Sequence, residues 1–447
     1  MIPVSAQPLK MAENNDIKAT TGKEEKKMGL LEEITAESNI VLVRQRFKRN
    51  KGSAGIDGMT VQELDKYFME SGAVIRQSIM DGKYRPQPVR GVEIPKDNGK
   101  KRQLGIPTAV DRTIQQAITM KLTPIFEPLF SDTSYGFRPG RRAHDAINKC
   151  IEYLNDGYVW TVDMDLEKFF DNVNQSKLIQ LLSDQINDGR VISLIHKYLK
   201  AGRIWCGRFD ETTCGVPQGG PLSPLCANVM LNELDHELEK RGHKFVRYAD
   251  DMIIFCRSKA SAEQTLKHII PYIEKKLFLK VNMEKTVVAY ATKIKYLGFG
   301  FTKSKDGFKP RVHQKSKDKM RKKVEYMTQR NDGKSYEERK STLRKFVVGW
   351  VNYFKIAQMG TFLKGVDGWM RRRIRSQIWT RWKRVRTKYK RLRQLGADHD
   401  TALRMASSRK GSWHLAKTKE LNTFISNERL ARAGYQFFFP YYMTVKA

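Results

Sequence analysis

Residues 245–255 read FVRYADDMIIF, and the architecture turns on how they are read. Strand-forming apolar residues precede and follow Tyr248-Ala249-Asp250-Asp251, so the segment reads as two β-strands joined by a tight turn with two adjacent carboxylates at its tip. Neighbouring anions repel each other, and a β-rich segment that holds two together usually offers them to a cation. Magnesium takes carboxylates together with substrate phosphates. An ordinary Asp-Asp turn has the same tetrapeptide, so its meaning depends on what surrounds it.

A second acidic strand end lies upstream at WTVDMDLEKFFDNV, residues 160–173. Val162, Met164 and Leu166 alternate with Asp163 and Asp165, which sets both acids on the face away from the apolar side. If this strand lies beside the hairpin, Asp165, Asp250 and Asp251 can hold two magnesium ions ~3.5–4 Å apart, the spacing of in-line phosphoryl transfer. Carboxylates alone would serve a nuclease equally well. Around these segments, strand-like and helical runs alternate from about 158 to 300, which points to an α+β unit. LSPLCANVMLNELDHELEKR (222–241) reads as a helix started after Pro224, and residues 310–395 read as almost wholly helical.

The chain has 447 residues, 83 Lys plus Arg against 48 Asp plus Glu, and 40% hydrophobic residues. That is long enough for several packed units and too apolar for a disordered polyelectrolyte. No stretch approaches the ~18 consecutive apolar residues of a membrane span, so no membrane partner is expected. Five cysteines without a Cys-x-x-Cys pair indicate neither a disulfide framework nor a thiolate zinc site, which suits a reducing, cytoplasmic compartment. The charge is uneven: residues 301–447 hold 38 Lys/Arg and 11 Asp/Glu. Between Arg371 and Arg393 stand twelve basic residues and no acid, with Ile374, Ile378 and Trp382 at four-residue spacing. This run reads as one helix with an apolar stripe. So many like charges call for a polyanion alongside, and Arg371, Arg372, Arg373, Arg375, Arg381, Lys383 and Arg384 are its candidate nucleic-acid contacts.

Eight motifs in order complete the pattern: GSAGIDGMT (52–60), RQLGIPTAVDRTIQQAI (102–118), YGFRPGRRAHDAI (135–147), DLEKFFDNV (165–173), GVPQGGPLSPLCANVML (215–231), YADD (248–251), LKVNMEKT (279–286) and YLGF (296–299). From about residue 40 to 445 the chain resembles the bacterial group II intron-encoded reverse transcriptases that double as splicing maturases. The resemblance implies an α+β right-hand polymerase of fingers, palm and helical thumb, with Asp165, Asp250 and Asp251 together on the palm around two Mg2+ ions. It implies Phe170 as the steric gate that rejects a 2′-hydroxyl, Gln218 as a contact of the incoming dNTP, and Lys96 and Arg102 as the triphosphate clamp. Lys285 corresponds to a residue proposed as general acid for the pyrophosphate leaving group. Leu297 and Gly298 correspond to the primer grip.

The expected divisions are a flexible arm over 1–30, N-terminal extension and fingers over 31–157, palm over 158–305, thumb or maturase X domain over 306–395, and a C-terminal DNA-binding region over 396–447. The tail resembles the compact class C subgroup. Some relatives continue into a Cys/His-rich endonuclease, whereas this tail carries only His399 and His414, so a primer from a replication fork or existing nick is the implied source. The expected partners are group II intron RNA, an RNA template with DNA primer, target DNA and dNTPs, the protein working as a cytoplasmic ribonucleoprotein. Two other readings remain open here: a maturase that binds RNA without polymerising, and a reverse transcriptase of a retron, diversity-generating element or CRISPR system.

Overall fold

The computed structural model describes residues 28–48, 52–95, 99, 101–329, 333 and 335–446. The expected N-terminal arm falls almost wholly outside the described residues, as does Lys96. The fingers begin with the hairpin β1 (Val89–Pro95) and β2 (Lys101–Ile106), which pairs Ile94 with Arg102. Helix α1 (Ala109–Phe126) follows, capped by the Thr108 side chain on the Asp111 amide, and α2 (Ala143–Asn155) leads into the palm. A short hairpin, β4 (Arg203–Trp205) and β5 (Arg208–Asp210), extends the finger sheet in the order β2-β1-β4-β5.

Four antiparallel strands make the palm sheet: β3 (Trp160–Met164), β6 (Lys244–Tyr248), β7 (Asp251–Cys256) and β8 (Val287–Tyr290), in the order β6-β7-β3-β8. Both faces are covered, which is why β7 reads as an unbroken apolar run. With a side-chain period of two, Met252, Ile254 and Cys256 join Val162 and Met164 in a core beneath α3 (Ser223–Lys240) and α4 (Lys259–Lys276). Ile253 and Phe255 point the other way, into a core shared with Ile147 and Leu154 of α2 and with Phe299 and Phe301.

That second core continues into the thumb. The hairpin β9 (Phe299–Ser304) and β10 (Gly307–Val312) pairs Phe301 with Pro310, and the expected palm–thumb boundary at 305/306 lies in its turn. Helices α5 (Gln314–Met327), α6 (Tyr336–Phe354), α7 (Gly360–Arg381) and α8 (Val385–Gln394) follow. The single basic helix expected from Arg371 is thus two helices. The break at Trp382 sets its ring 5.9 Å from that of Trp379 and lets Leu392 of α8 turn into the core, an arrangement that a straight continuation of α7 would forgo. Short helices from 399 to 446 pack back on α7. Among the described residues no helix is long and apolar enough to cross a membrane.

Candidate active site and nucleic-acid interface

The hairpin tip forms as expected. Tyr248 pairs with Asp251, leaving Ala249 and Asp250 as the two turn residues. Ala249 is left-handed, with φ +58°, a conformation that costs an ordinary L-residue ~1–2 kcal/mol. This turn aims the Asp250 and Asp251 side chains into a cavity of about 830 Å3 between palm and fingers.

Register brings in the third carboxylate. β3 pairs Trp160 with Cys256 and Met164 with Met252, so one further step along the same ladder sets Asp165 across from Asp251. Asp163 pairs with Ile253 and therefore shares that face, diagonal to Asp251. Crowding shows in the acidities. Partial burial of its carboxylate raises Asp251 to about 6, with the charges of Asp250 and Asp165 adding to it and Lys295 and Lys285 opposing, although the residue keeps an exposed surface. Burial, then Asp251 and Asp165, raises Asp163 to about 7. Carboxylates that resist ionising for want of positive charge are chemically suited to a divalent cation. Among the described residues, no three such groups close into a metal cage. The nearest cation is instead the Lys285 ammonium, which donates to Asp165 Oδ2 at 2.8 Å.

Arg102, Phe170, Gln218 and Leu297 line the same cavity as Asp250 and Asp251. Arg102 Nε donates to Gln218 Oε1 at 2.7 Å, and the Gly105 amide donates to the Gln218 carbonyl at 2.7 Å. These bonds tie the PQGG turn to the finger hairpin. Gly219, at φ +125°, allows the approach: a Cβ there would lie 2.5 Å from the Gly105 carbonyl oxygen. Phe170 is 6% exposed, its ring edge-on to Phe169 at 5.2 Å, and its carbonyl accepts from the Val216 amide. Leu297 and Gly298 form a tight left-handed pair, φ +48° and +84°, between Tyr296 and Phe299. Tyr353 of α6 donates to the Leu297 carbonyl at 2.9 Å, and Ser316 of α5 donates to that of Gly298 at 2.8 Å. The Tyr353 ring packs edge-on to that of Phe354 at 4.8 Å, and its hydroxyl joins thumb to palm. Arg112 of α1, inside one of the eight motifs but without an expected role, also lines the cavity and donates to the Ser53 carbonyl at 2.9 Å.

The basic run requires a correction. Arg375 is buried and donates to the Ile425 carbonyl and Asn427 Oδ1, so it faces protein and no phosphate can reach it. Arg373 donates to Thr328 Oγ1 and Glu325, and Arg372 lies over the Trp413 ring at 3.9 Å while donating to its carbonyl. Arg371 covers Phe437 and Arg381 covers Tyr336, each 4.5 Å from the ring centre. These α7 arginines clamp the C-terminal segment and neighbouring helices. Lys383 and Arg384, beyond the break, are exposed, as are Arg386, Lys390, Arg391 and Arg393 on α8.

An antiparallel palm sheet that collects acidic strand ends beneath a finger hairpin, with a helical thumb behind the hairpin β9–β10, defines a right-hand nucleic-acid polymerase. Residues 94–301 match the family of reverse transcriptases (RNA-dependent DNA polymerases), and residues 317–396 match the maturase-specific domain of group II introns. The chain belongs to the group II intron-encoded reverse transcriptase/maturase family. It is 34% identical over 274 residues to protein YkfC of Escherichia coli K12, spanning 53% of this chain and 72% of that protein. It is 32% identical over 329 residues to the group II intron-encoded protein LtrA of Lactococcus lactis subsp. cremoris, spanning 59% of this chain and 55% of LtrA. The maturase match decides for the intron lineage over the retron, diversity-generating and CRISPR readings.

Proposed function

We propose that the protein extends a DNA primer on an RNA template using dNTPs and two Mg2+ ions, and that it binds its own intron RNA as a splicing maturase in a cytoplasmic ribonucleoprotein. One observation carries this reading: β3 and β7 pair up to Met164 and Met252, so Asp165 and Asp251 follow directly from paired strand ends, and Asp250 and Asp251 line a cavity with Phe170, Gln218 and Arg102. Asp165, Asp250 and Asp251 would hold the metal, which when bound supplies positive charge to the attacking and leaving oxygens. Arg102, held by Gln218, presents its remaining N–H groups to the triphosphate, with Lys96 as its partner. Phe170 fills the space a 2′-hydroxyl would need. Leu297 and Gly298, backed by Tyr353 and Ser316, seat the primer end. Lys285 stands where it can give a proton or a charge to the departing pyrophosphate.

The exposed cations from Lys383 through α8 are the surface for intron RNA or target DNA. Primer extension on RNA tests the reading. Asp250→Asn with Asp251→Asn should abolish extension while RNA binding persists. Undiminished extension by that double variant would sink the assignment, and RNA binding without extension by the unaltered protein would favour the maturase-only reading.

A further inference from the structure

The carboxylate turn is held from behind by a side chain that none of the roles above uses. Arg247, on β6 just before Tyr248-Ala249-Asp250-Asp251, is 0% exposed. Its Nε lies 2.8 and 3.0 Å from the two Asp235 carboxylate oxygens and its Nη2 2.5 Å from Oδ2. The remaining nitrogen, Nη1, donates at 3.0 Å to Asn228 Oδ1 and at 3.0 Å to the carbonyl of Ala249, the left-handed residue of the turn. Asp235 and Asn228 both stand on α3, the helix that follows the PQGG turn. Asn228 Nδ2 in turn donates to the Gly136 carbonyl at 2.9 Å.

Gly136 completes the clamp. A Cβ there would lie 2.1 Å from the Ala249 nitrogen, so only glycine lets this loop close on the turn. The loop is itself fastened to the arginine's backbone: the Tyr135 amide donates to the Arg247 carbonyl at 2.8 Å, and the Arg247 amide to the Thr133 carbonyl at 3.0 Å. On the other side, the buried Tyr296 hydroxyl donates to the Val246 and Asp251 carbonyls. A planar guanidinium spreads five fixed donors over three nitrogens and so meets both carboxylate oxygens, an amide oxygen and a turn carbonyl together, a fork that the single nitrogen of an ammonium does not reproduce.

We propose that Arg247, braced by Asp235 and Asn228, is a positioning residue that holds Ala249 in its left-handed conformation and thereby fixes where Asp250 and Asp251 present their oxygens to metal. This rests on the proposed polymerase reading for its catalytic consequence, though not for the geometry.

The test uses the full chain with Arg247→Lys, which keeps the buried charge beside Asp235 but not the fork, and Asn228→Ala, which leaves the Arg247–Asp235 pair intact. Extension is measured against Mg2+, dNTP and template–primer, and Mn2+ binding is measured by electron paramagnetic resonance with no nucleotide present. Arg247→Lys should lower kcat at least tenfold and raise the Mg2+ midpoint and the Mn2+ dissociation constant several-fold, with KM for dNTP and template–primer affinity within twofold. Asn228→Ala should move the same quantities less. Ala249→Gly, which accepts the left-handed turn without strain, should restore part of the loss in Arg247→Lys, a rescue that a purely structural role would not give. If Arg247→Lys does not fold, Asn228→Ala decides. A folded variant with unaltered kcat, Mg2+ midpoint and Mn2+ affinity overturns the proposal. If the unaltered protein extends no primer, the polymerase reading fails, and the Mn2+ comparison still judges the clamp.

Discussion

The Lys285 ammonium lies 2.8 Å from Asp165 Oδ2, so the side chain proposed to assist pyrophosphate departure is the counter-ion of a carboxylate proposed to hold metal. The two roles are mutually exclusive at any instant. If Asp165 holds a metal ion as proposed, that ion would compete with the Lys285 ammonium for the carboxylate and leave the lysine free for the other role. The pair is solvent-accessible, so its net strength is ~0–1 kcal/mol. Lys285→Ala should therefore bind Mn2+ as well as the unaltered protein or up to about fivefold more tightly, while kcat for extension falls. Weaker metal binding in the variant would mean that the lysine helps to build the metal site.

The crowded carboxylates give a pH dependence of defined sign. Asp251 and Asp163, raised to about 6 and about 7, hold protons in the folded protein at pH values where the unfolded chain has released them. Their contribution is fully present below the ordinary carboxylate range near 4 and is lost as pH rises through about 6–7. Without metal, Asp163→Asn should thus gain thermal stability relative to the unaltered protein at pH 7.5 and gain much less near pH 4.5. Melting curves in chelator at the two pH values check this, and a gain independent of pH would contradict the assignment. Adding Mg2+ should raise the Tm of the unaltered protein at pH 7.5.

The gate proposed for Phe170 is open to a direct test. Phe170→Val opens space against the nucleotide and should reduce discrimination against ribonucleotides at least tenfold, read from the ratio of kcat/KM for dNTP and rNTP. The variant should also be less stable, because the ring is buried against Phe169. Unchanged discrimination in a folded variant would assign the ring to packing alone.

Tyr353 tests the link between thumb and primer grip. Tyr353→Phe removes one hydrogen bond, to the Leu297 carbonyl, worth ~0.5–1.5 kcal/mol, and keeps the ring packed on Phe299 and Phe354. Products made after a single binding event should shorten, with single-nucleotide addition at saturating dNTP little affected. Equal product lengths would show that the hydroxyl does not steady the primer end.

The basic region divides into two experiments. Replacing Lys383, Arg384 and Arg386 by Gln should weaken RNA binding and lower the slope of log affinity against log salt by up to about one for each phosphate that is no longer neutralised. Arg375→Gln should leave that slope unchanged and lower the Tm, because it strands the buried Ile425 carbonyl. The reverse pattern would place the nucleic acid on α7.

Much of the site is legible in the chain because its signals are local. Alternation of Val162 and Met164 with Asp163 and Asp165, and apolar flanks around an Asp-Asp pair, follow from the two-residue period of a strand, and the PQGG turn announces a close backbone approach. Charge density alone is a poorer guide. Arg375 and Lys383 look equivalent in a basic run, yet one is sealed against Ile425 and the other faces water, since exposure is decided by what packs over a helix and that lies fifty residues away. The break at Trp382 is hidden for a related reason: local helical periodicity continues through it, and only the core that receives Leu392 favours the turn.

Residue order alone was enough for the family and the α+β class and for choosing the three carboxylates proposed to bind metal, because these reside in short segments whose residue types admit few conformations. That Asp165 stands across from Asp251, that Lys285 neutralises Asp165 and that Arg247 braces the turn emerged only from the folded arrangement. The first two are pairings between segments far apart in the chain and the third joins a strand to the helix packed on it, all selected by the summed burial of two cores on either side of one sheet, a quantity that no single stretch of residues contains.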